Sequence, residues 1–132
     1  MNLLVFVFML FAHIVDDYYL QGMLALMKQK SWWEENAPAS LYKNDWVMAL
    51  VEHAFSWSIS ISIPMIIYAF YLKLNMDNFS LFLLVEIVIN TIIHSIVDNS
   101  KANLYKINLI QDQLIHIIQL IVTYLVFLNL FV

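Results

Sequence analysis

Cysteine and arginine are both absent from the 132 residues, and there are only one glycine and two prolines. Without cysteine the chain forms no disulfide, holds no thiolate-bound zinc and runs no thiol chemistry. Any metal must therefore be held by His, carboxylate or amide groups. Six lysines stand against ten acidic residues, for a net charge of −4. That balance supplies no basic stripe to release counterions from a nucleic-acid backbone, so nucleic acid is excluded as a partner. There is no nucleophilic Ser flanked by Gly residues, no phosphate-cradling loop and no long heptad seam. Charge of any sign is scarce: 12% of residues are charged and 63% are hydrophobic. A soluble domain sits nearer ~25% and ~45–50%, so the composition is that of a membrane protein.

Four apolar runs are each close to the ~20 residues that cross a hydrocarbon core. They extend from about Leu3 to Leu26, Trp46 to Leu72, Phe79 to Val97 and Ile107 to Val132. An open strand would leave backbone groups unsatisfied in lipid, so all four are expected as helices. Short connections at Lys73–Asn78 and Asn99–Lys106 make neighbours antiparallel. The expected fold is an all-α, four-transmembrane-helix up-down bundle, a single domain over residues 1–132. The first run lacks a basic n-region and a small-residue cleavage site and continues into acidic residues, so it reads as a retained helix rather than a secretory signal.

The one sizeable loop, between the first two spans, contains Pro38, Trp32, Trp33 and Tyr42 and leads to Trp46, aromatics suited to the headgroup level. The first and third loops share Lys28, Lys30, Lys43, Lys101 and Lys106, while the second has only Lys73. The positive-inside rule then places a cell inner-membrane protein with both termini outside.

Polar residues inside these spans are not scattered. His13/Asp17, His94/Asp98 and Asp112/His116 are three His/Asp pairs at a separation of four, and His53 lies about two turns into the second span. Residues four apart share a helix face with Cβ atoms ~5–6 Å apart. Alternating helix direction brings all seven to one level, near the predicted cytoplasmic face. A lone membrane His or Asp is more often a hydrogen-bond partner between helices than a ligand; three pairs and a fourth His at one depth point to a shared metal site. Neutral imidazole with carboxylate suits zinc, and also manganese or ferrous iron. Seven donors could hold one or two divalent ions and lower the pKa of a bound water from ~15.7 toward ~7. Asp16 reads either as a ligand or as a solvated neighbour of Asp17, and the spacing from His13 favours Asp17. Glu86 reads as a buried partner at a helix contact, and Glu52 as interfacial. Gln21 and Gln113 read as supports for the ligands, and Lys101 as an anion grip, a counter-charge or an interface marker. The Trp residues read as packing and lipid contacts.

The segments HIVDDYYLQ from His13, VEHAF around His53, HSIVDNSK from His94 and DQLIH from Asp112, with Lys28 between the first two, occur in a fixed order. In this the chain resembles a small bacterial and phage membrane-protein family of unknown function, over nearly its whole length. More loosely it is similar to membrane-bound proteins labelled metal-dependent hydrolases. The resemblance implies His13, Asp17, His53, His94, Asp98, Asp112 and His116 as the shared polar set. The chain departs from the pattern at Tyr18 and Tyr19, where one smaller residue or Phe is expected, and this leaves the ligand positions intact.

The leading expectation is a metal-dependent hydrolase acting at the cytoplasmic membrane face on a lipid-like or phosphate-containing substrate. Asp17, Asp98 or Asp112 would serve as base or bridging ligand and Lys101 would bind an anion. Alternatives are a metal transporter, a structural metal staple, or an accessory protein that binds a membrane partner. The partners implied are membrane lipid and a divalent metal, with a homo-oligomer or membrane partner also compatible with so small a bundle.

Overall fold

The computed structural model describes residues 2–132, and the described residues contain helices and no strand. Helix α1 (Asn2–Val15) runs into a π-helical turn (Asp16–Leu20). Two short helices follow, α2 (Leu24–Met27) and α3 (Lys30–Asn36), and then a single 3₁₀ turn (Ser40–Tyr42). The remaining helices are long: α4 (Asp45–Leu72), α5 (Met76–Ala102) and α6 (Leu109–Phe131). Four segments, led by α1, α4, α5 and α6, are long and apolar enough to cross a membrane. Helix α1 packs on α4, α4 on α5, α5 on α6, and α6 back on α1. This is the closed cycle of neighbours expected of an up-down bundle.

Asparagine sets two of the helix starts. The Asn75 side chain accepts from the N–H groups of Asp77 and Asn78, and Asn108 forms a reciprocal capping box with Gln111. Pro64 lies inside α4; nearby Ser58 and Ser62 donate back to the carbonyls four residues earlier, which is how serine hydroxyls are accommodated in an apolar helix.

The bundle has two unlike ends. At one, Val5, Met9, Ile61, Met65, Phe79, Leu120 and Phe127 form an apolar core, and the rings of Phe79, Phe82, Phe127 and Phe131 pack edge to face or tilted. At the other end the interior is polar, with His, Asp and Lys side chains buried. The outer faces are apolar throughout, with Ile67 at 64% and Leu81 at 65% exposure. Apolar outside and polar inside is the distribution that lipid selects and water does not.

Two boundaries differ from the sequence expectation. The first span was expected to reach Leu26; the helix instead passes through the π turn and breaks at Gly22, whose φ of +47° is a left-handed conformation that glycine adopts without steric cost. The segment 28–45, expected as a loop resting on the interface, holds α3 and the 3₁₀ turn, and the stretch before it forms α2, which packs against α4. The third span was expected to end at Val97, yet α5 continues to Ala102. Its last polar residues, Asp98 and Lys101, each find a partner of opposite charge inside the bundle, so the helix has no reason to stop at the first charge.

Candidate metal centre

Each long helix contributes to the polar end: α1 with its π turn supplies His13, Asp16 and Asp17, α4 supplies His53, α5 supplies His94 and Asp98, and α6 supplies Asp112 and His116. All are buried, with His53, His94, Asp112 and His116 at 0% exposure. Three imidazoles aim the same nitrogen at one region. His53 Nε2 lies 3.1 Å from Asp17 Oδ1 and 3.3 Å from His94 Nε2. His94 Nε2 is 3.8 Å from both Asp17 Oδ1 and Asp98 Oδ1. His116 Nε2 lies 3.3 Å from Asp98 Oδ1 and 3.5 Å from Asp112 Oδ1.

Two overlapping sets, Asp17/His53/His94 and His94/Asp98/His116, have their donor atoms within 4.8 Å of one another and could hold a metal ion. Tetrahedral coordination with bonds of ~2.0–2.1 Å requires donor-to-donor edges of ~3.3 Å, and the separations here run from 3.1 to 3.8 Å. Nδ1 of His53, His94 and His116 is buried without a hydrogen-bond partner among the described residues.

Neighbouring groups fix the rings. Trp57, fully buried one turn beyond His53, stacks on His94 with centroids 4.4 Å apart, and His94 stacks on His116 at 4.0 Å. The Trp57 indole N–H donates to His13 Nδ1 at 2.8 Å. His13 is 4.0 Å from Asp17 and stands beside the two donor sets rather than within them. Asp16 is buried, not solvated: the hydroxyls of Ser56 and Ser60 donate to its Oδ2 at 2.9 and 2.7 Å, and its Oδ1 lies 3.8 Å from His53 Nδ1. The π turn is the local cause. Gln21 N–H reaches back five residues to Asp16 O, and this wider turn keeps both consecutive aspartates inside the bundle. Gln113 donates to Asp17 Oδ2 at 2.9 Å and to Asp112 Oδ2 at 3.1 Å, as a support should. Gln21 instead donates to the backbone carbonyl of Asp17, its own helix, and makes no contact with a ring.

Two lysines enter the site. Lys28, 6% exposed, extends from the α2–α3 junction to Asp98 Oδ2 at 2.5 Å. Lys101 donates to Asp112 Oδ2 at 2.5 Å. Lys101 is thus a counter-charge to a site carboxylate, one of the three roles its sequence allowed. Asn103 clamps the junction from the end of α5: its Oδ1 accepts from Lys30 N–H at 2.8 Å and its Nδ2 donates to the Lys28 carbonyl at 3.1 Å. The carboxylates of Asp16, Asp17, Asp98 and Asp112 thus share two ammoniums and the rings of four histidines.

Sequence spacing therefore located the imidazoles and carboxylates that converge, but not Lys28, Trp57 or the Asp16 serine pocket. Trp57 and the pair Ser56/Ser60 had a signal, since each follows the four-residue period along α4. Lys28 had none. Glu52 is exposed, and Glu86 bonds Asn90 and Thr123 across the α5–α6 contact, both as their positions imply. No protein-family model, curated protein or solved structure matches this chain.

Proposed function

We propose that this chain is an integral-membrane protein binding one divalent metal ion at its polar end, zinc being the best fit to a sulfur-free set of imidazole and carboxylate. The observation that carries this is the convergence of three Nε2 atoms and two aspartates on one buried region. Asp17, His53, His94 and Asp98 form a four-donor set, with His116 and Asp112 adjoining through Asp98. His94 Nε2 belongs to both three-residue sets and can bind only one ion, which favours one over two.

The reaction class proposed is hydrolysis of a lipid-like or phosphate-containing substrate at the cytoplasmic membrane face. When bound, the metal supplies a water acidic enough to be deprotonated near neutral pH. Asp112 Oδ1, buried without a hydrogen-bond donor, is placed to accept a proton, and Gln113 orients Asp17. Lys28 and Lys101 hold carboxylates that would otherwise repel an anionic substrate. The orientation is argued from the lysines left free of carboxylates. With Lys28 and Lys101 paired inside the bundle, Lys30, Lys43 and Lys106 face Lys73 alone, still a bias toward the site's end.

Metal analysis of the protein purified in mild detergent should give about one zinc-like ion per chain, and His94→Ala should abolish it while the helices persist. A folded, metal-free protein that takes up no zinc, manganese or iron would overturn the metal assignment. Turnover of a phosphodiester or lipid ester that survives chelation would overturn the hydrolytic one.

A structural staple is the second reading, favoured by the closure of the site: four of its side chains have no solvent exposure at all. Chelation then unfolds the bundle rather than only silencing it.

A further inference from the structure

Beyond the polar end, residues of α5 and α6 line a groove of about 900 Å³. Its walls are apolar, including Val85 and Ile89 from α5 and Ile118 and Val122 from α6. Its floor is polar: Glu86, Asn90, Gln119 and Thr123. Asn90 Nδ2 donates to Glu86 Oε1 at 2.9 Å and to Thr123 Oγ1 at 3.0 Å. Gln119 Nε2 donates to the Asn90 carbonyl at 2.9 Å and to Asn90 Oδ1 at 2.7 Å. The Thr123 hydroxyl donates to Glu86 Oε1 at 2.5 Å. After these bonds two oxygens remain among the described residues: Gln119 Oε1 is buried without a partner on a side chain 7% exposed, and Glu86 Oε2, on a half-buried side chain, receives no donor.

The depth of these oxygens makes them informative. Glu86 is the eleventh residue of α5, ~15 Å of helical rise from its start, or half of a ~30 Å hydrocarbon core. Ordinary acyl chains at that depth offer only CH₂ groups, and an unpaired polar atom there is costly. A groove with apolar walls and a few convergent polar atoms is the usual form of a small-molecule site.

We infer that the α5–α6 groove binds a membrane-soluble alcohol, an apolar molecule carrying one hydroxyl that reaches Gln119 Oε1 and Glu86 Oε2. The Gln119 amide orientation is fixed by its two donated bonds, so Oε1 can only accept. Glu86 Oε2 accepts when the carboxyl is ionised and donates when it is protonated. With Glu86 protonated, a hydroxyl accepts from Oε2–H and donates its one proton to Gln119 Oε1, reaching both oxygens; an ether oxygen cannot donate to Gln119, and an ammonium cannot accept from a protonated Glu86. The floor ends one turn from His94, at Asn90, and three residues from His116, at Gln119, so the occupant lies against the wall of the metal centre without needing the metal to bind. The inference therefore rests on the groove and not on the metal reading.

The test uses the full chain in nanodiscs of a saturated phosphatidylcholine, with a diazirine-bearing long-chain alcohol and its methyl ether as probes. The alcohol is expected to label α5 and α6 facing the groove about tenfold more strongly than the ether, the scale of one well-placed hydrogen bond. Val122→Trp, which fills the groove without removing a polar group, and Glu86→Leu should lose the labelling. His94→Ala should retain it, which separates failure of the metal centre from failure of the groove. Competition by unlabelled hexadecanol supports a single-chain alcohol as the occupant, and competition by diacylglycerol alone supports a two-chain one. Equal labelling by alcohol and ether on the unaltered protein overturns the inference whether or not the variants fold. Labelling spread over all four long helices, or a dimer cross-linked through the groove, also overturns it.

Discussion

Trp57 and Lys28 do at the scale of single side chains what the imidazoles alone cannot. Trp57 holds two rings, His94 by stacking and His13 by a hydrogen bond. Trp57→Phe keeps the aromatic face and deletes the donor, leaving His13 Nδ1 short of a partner in a dry interior. The expected cost is about 1–2 kcal/mol of bundle stability, read from unfolding in mixed micelles, with metal content unchanged. Lys28 competes with any cation for Asp98. Lys28→Met should raise zinc affinity by about tenfold or more, since each ~1.4 kcal/mol is a factor of ten, and lower the stability of the metal-free form, which then carries a larger buried charge. Titration against a chromogenic chelator measures the first effect and thermal scans without metal the second. Equal affinities in the two proteins would show that Lys28 does not compete at Asp98.

Among the elements, the π turn and Gly22 decide how α1 delivers its ligands and how the chain leaves the bundle. The π turn holds Asp16 and Asp17 inward; Gly22 then reverses the chain so that α2 brings Lys28 over the site. A left-handed φ costs a residue with a Cβ ~1–2 kcal/mol. An added Cβ would meet only the Leu20 carbonyl oxygen at 3.8 Å, an ordinary contact, so the strain lies in the backbone and not in crowding. Gly22→Ala should therefore destabilise by about 1 kcal/mol and loosen the Lys28–Asp98 pair. Faster proteolysis between α2 and α3 is the readout. This is also where the sequence was least legible. The spans were visible because apolar length announces them, and the His/Asp pairs because four-residue spacing is a property of one helix. A π turn has no residue signature, and a lysine that crosses from one segment to another leaves no trace in local spacing.

Taken as a whole, the molecule is a polar end and an apolar end joined by continuous helices, and the polar end gathers four carboxylates against two lysines. Metal binding should restore stability in proportion to affinity, by RT ln(1 + [L]/Kd), about 2.7 kcal/mol at a hundredfold excess over Kd. Affinity should fall as pH falls, because imidazole and carboxylate donors must be unprotonated to bind. Isothermal titration in buffers of different ionisation enthalpy would report protons released on binding. An affinity independent of pH would be incompatible with histidine ligands. The fold class and the converging donors were legible from sequence because both follow from periodicity; the closure of the site was not, since burial depends on how four helices lean together.

The two lysine bridges differ in a way that bears on how the chain enters the bilayer. Lys101 and Asp112 lie eleven residues apart within the α5–α6 hairpin, whereas Lys28 and Asp98 are separated by seventy. The α5–α6 hairpin thus carries its own neutralising pair, while Asp98 gains its counter-charge only from the first half of the chain. Assembly is therefore expected to follow chain order, the C-terminal hairpin closing its polar end on an N-terminal half already in the bilayer, and a Lys28 variant should delay assembly even where the finished bundle tolerates it.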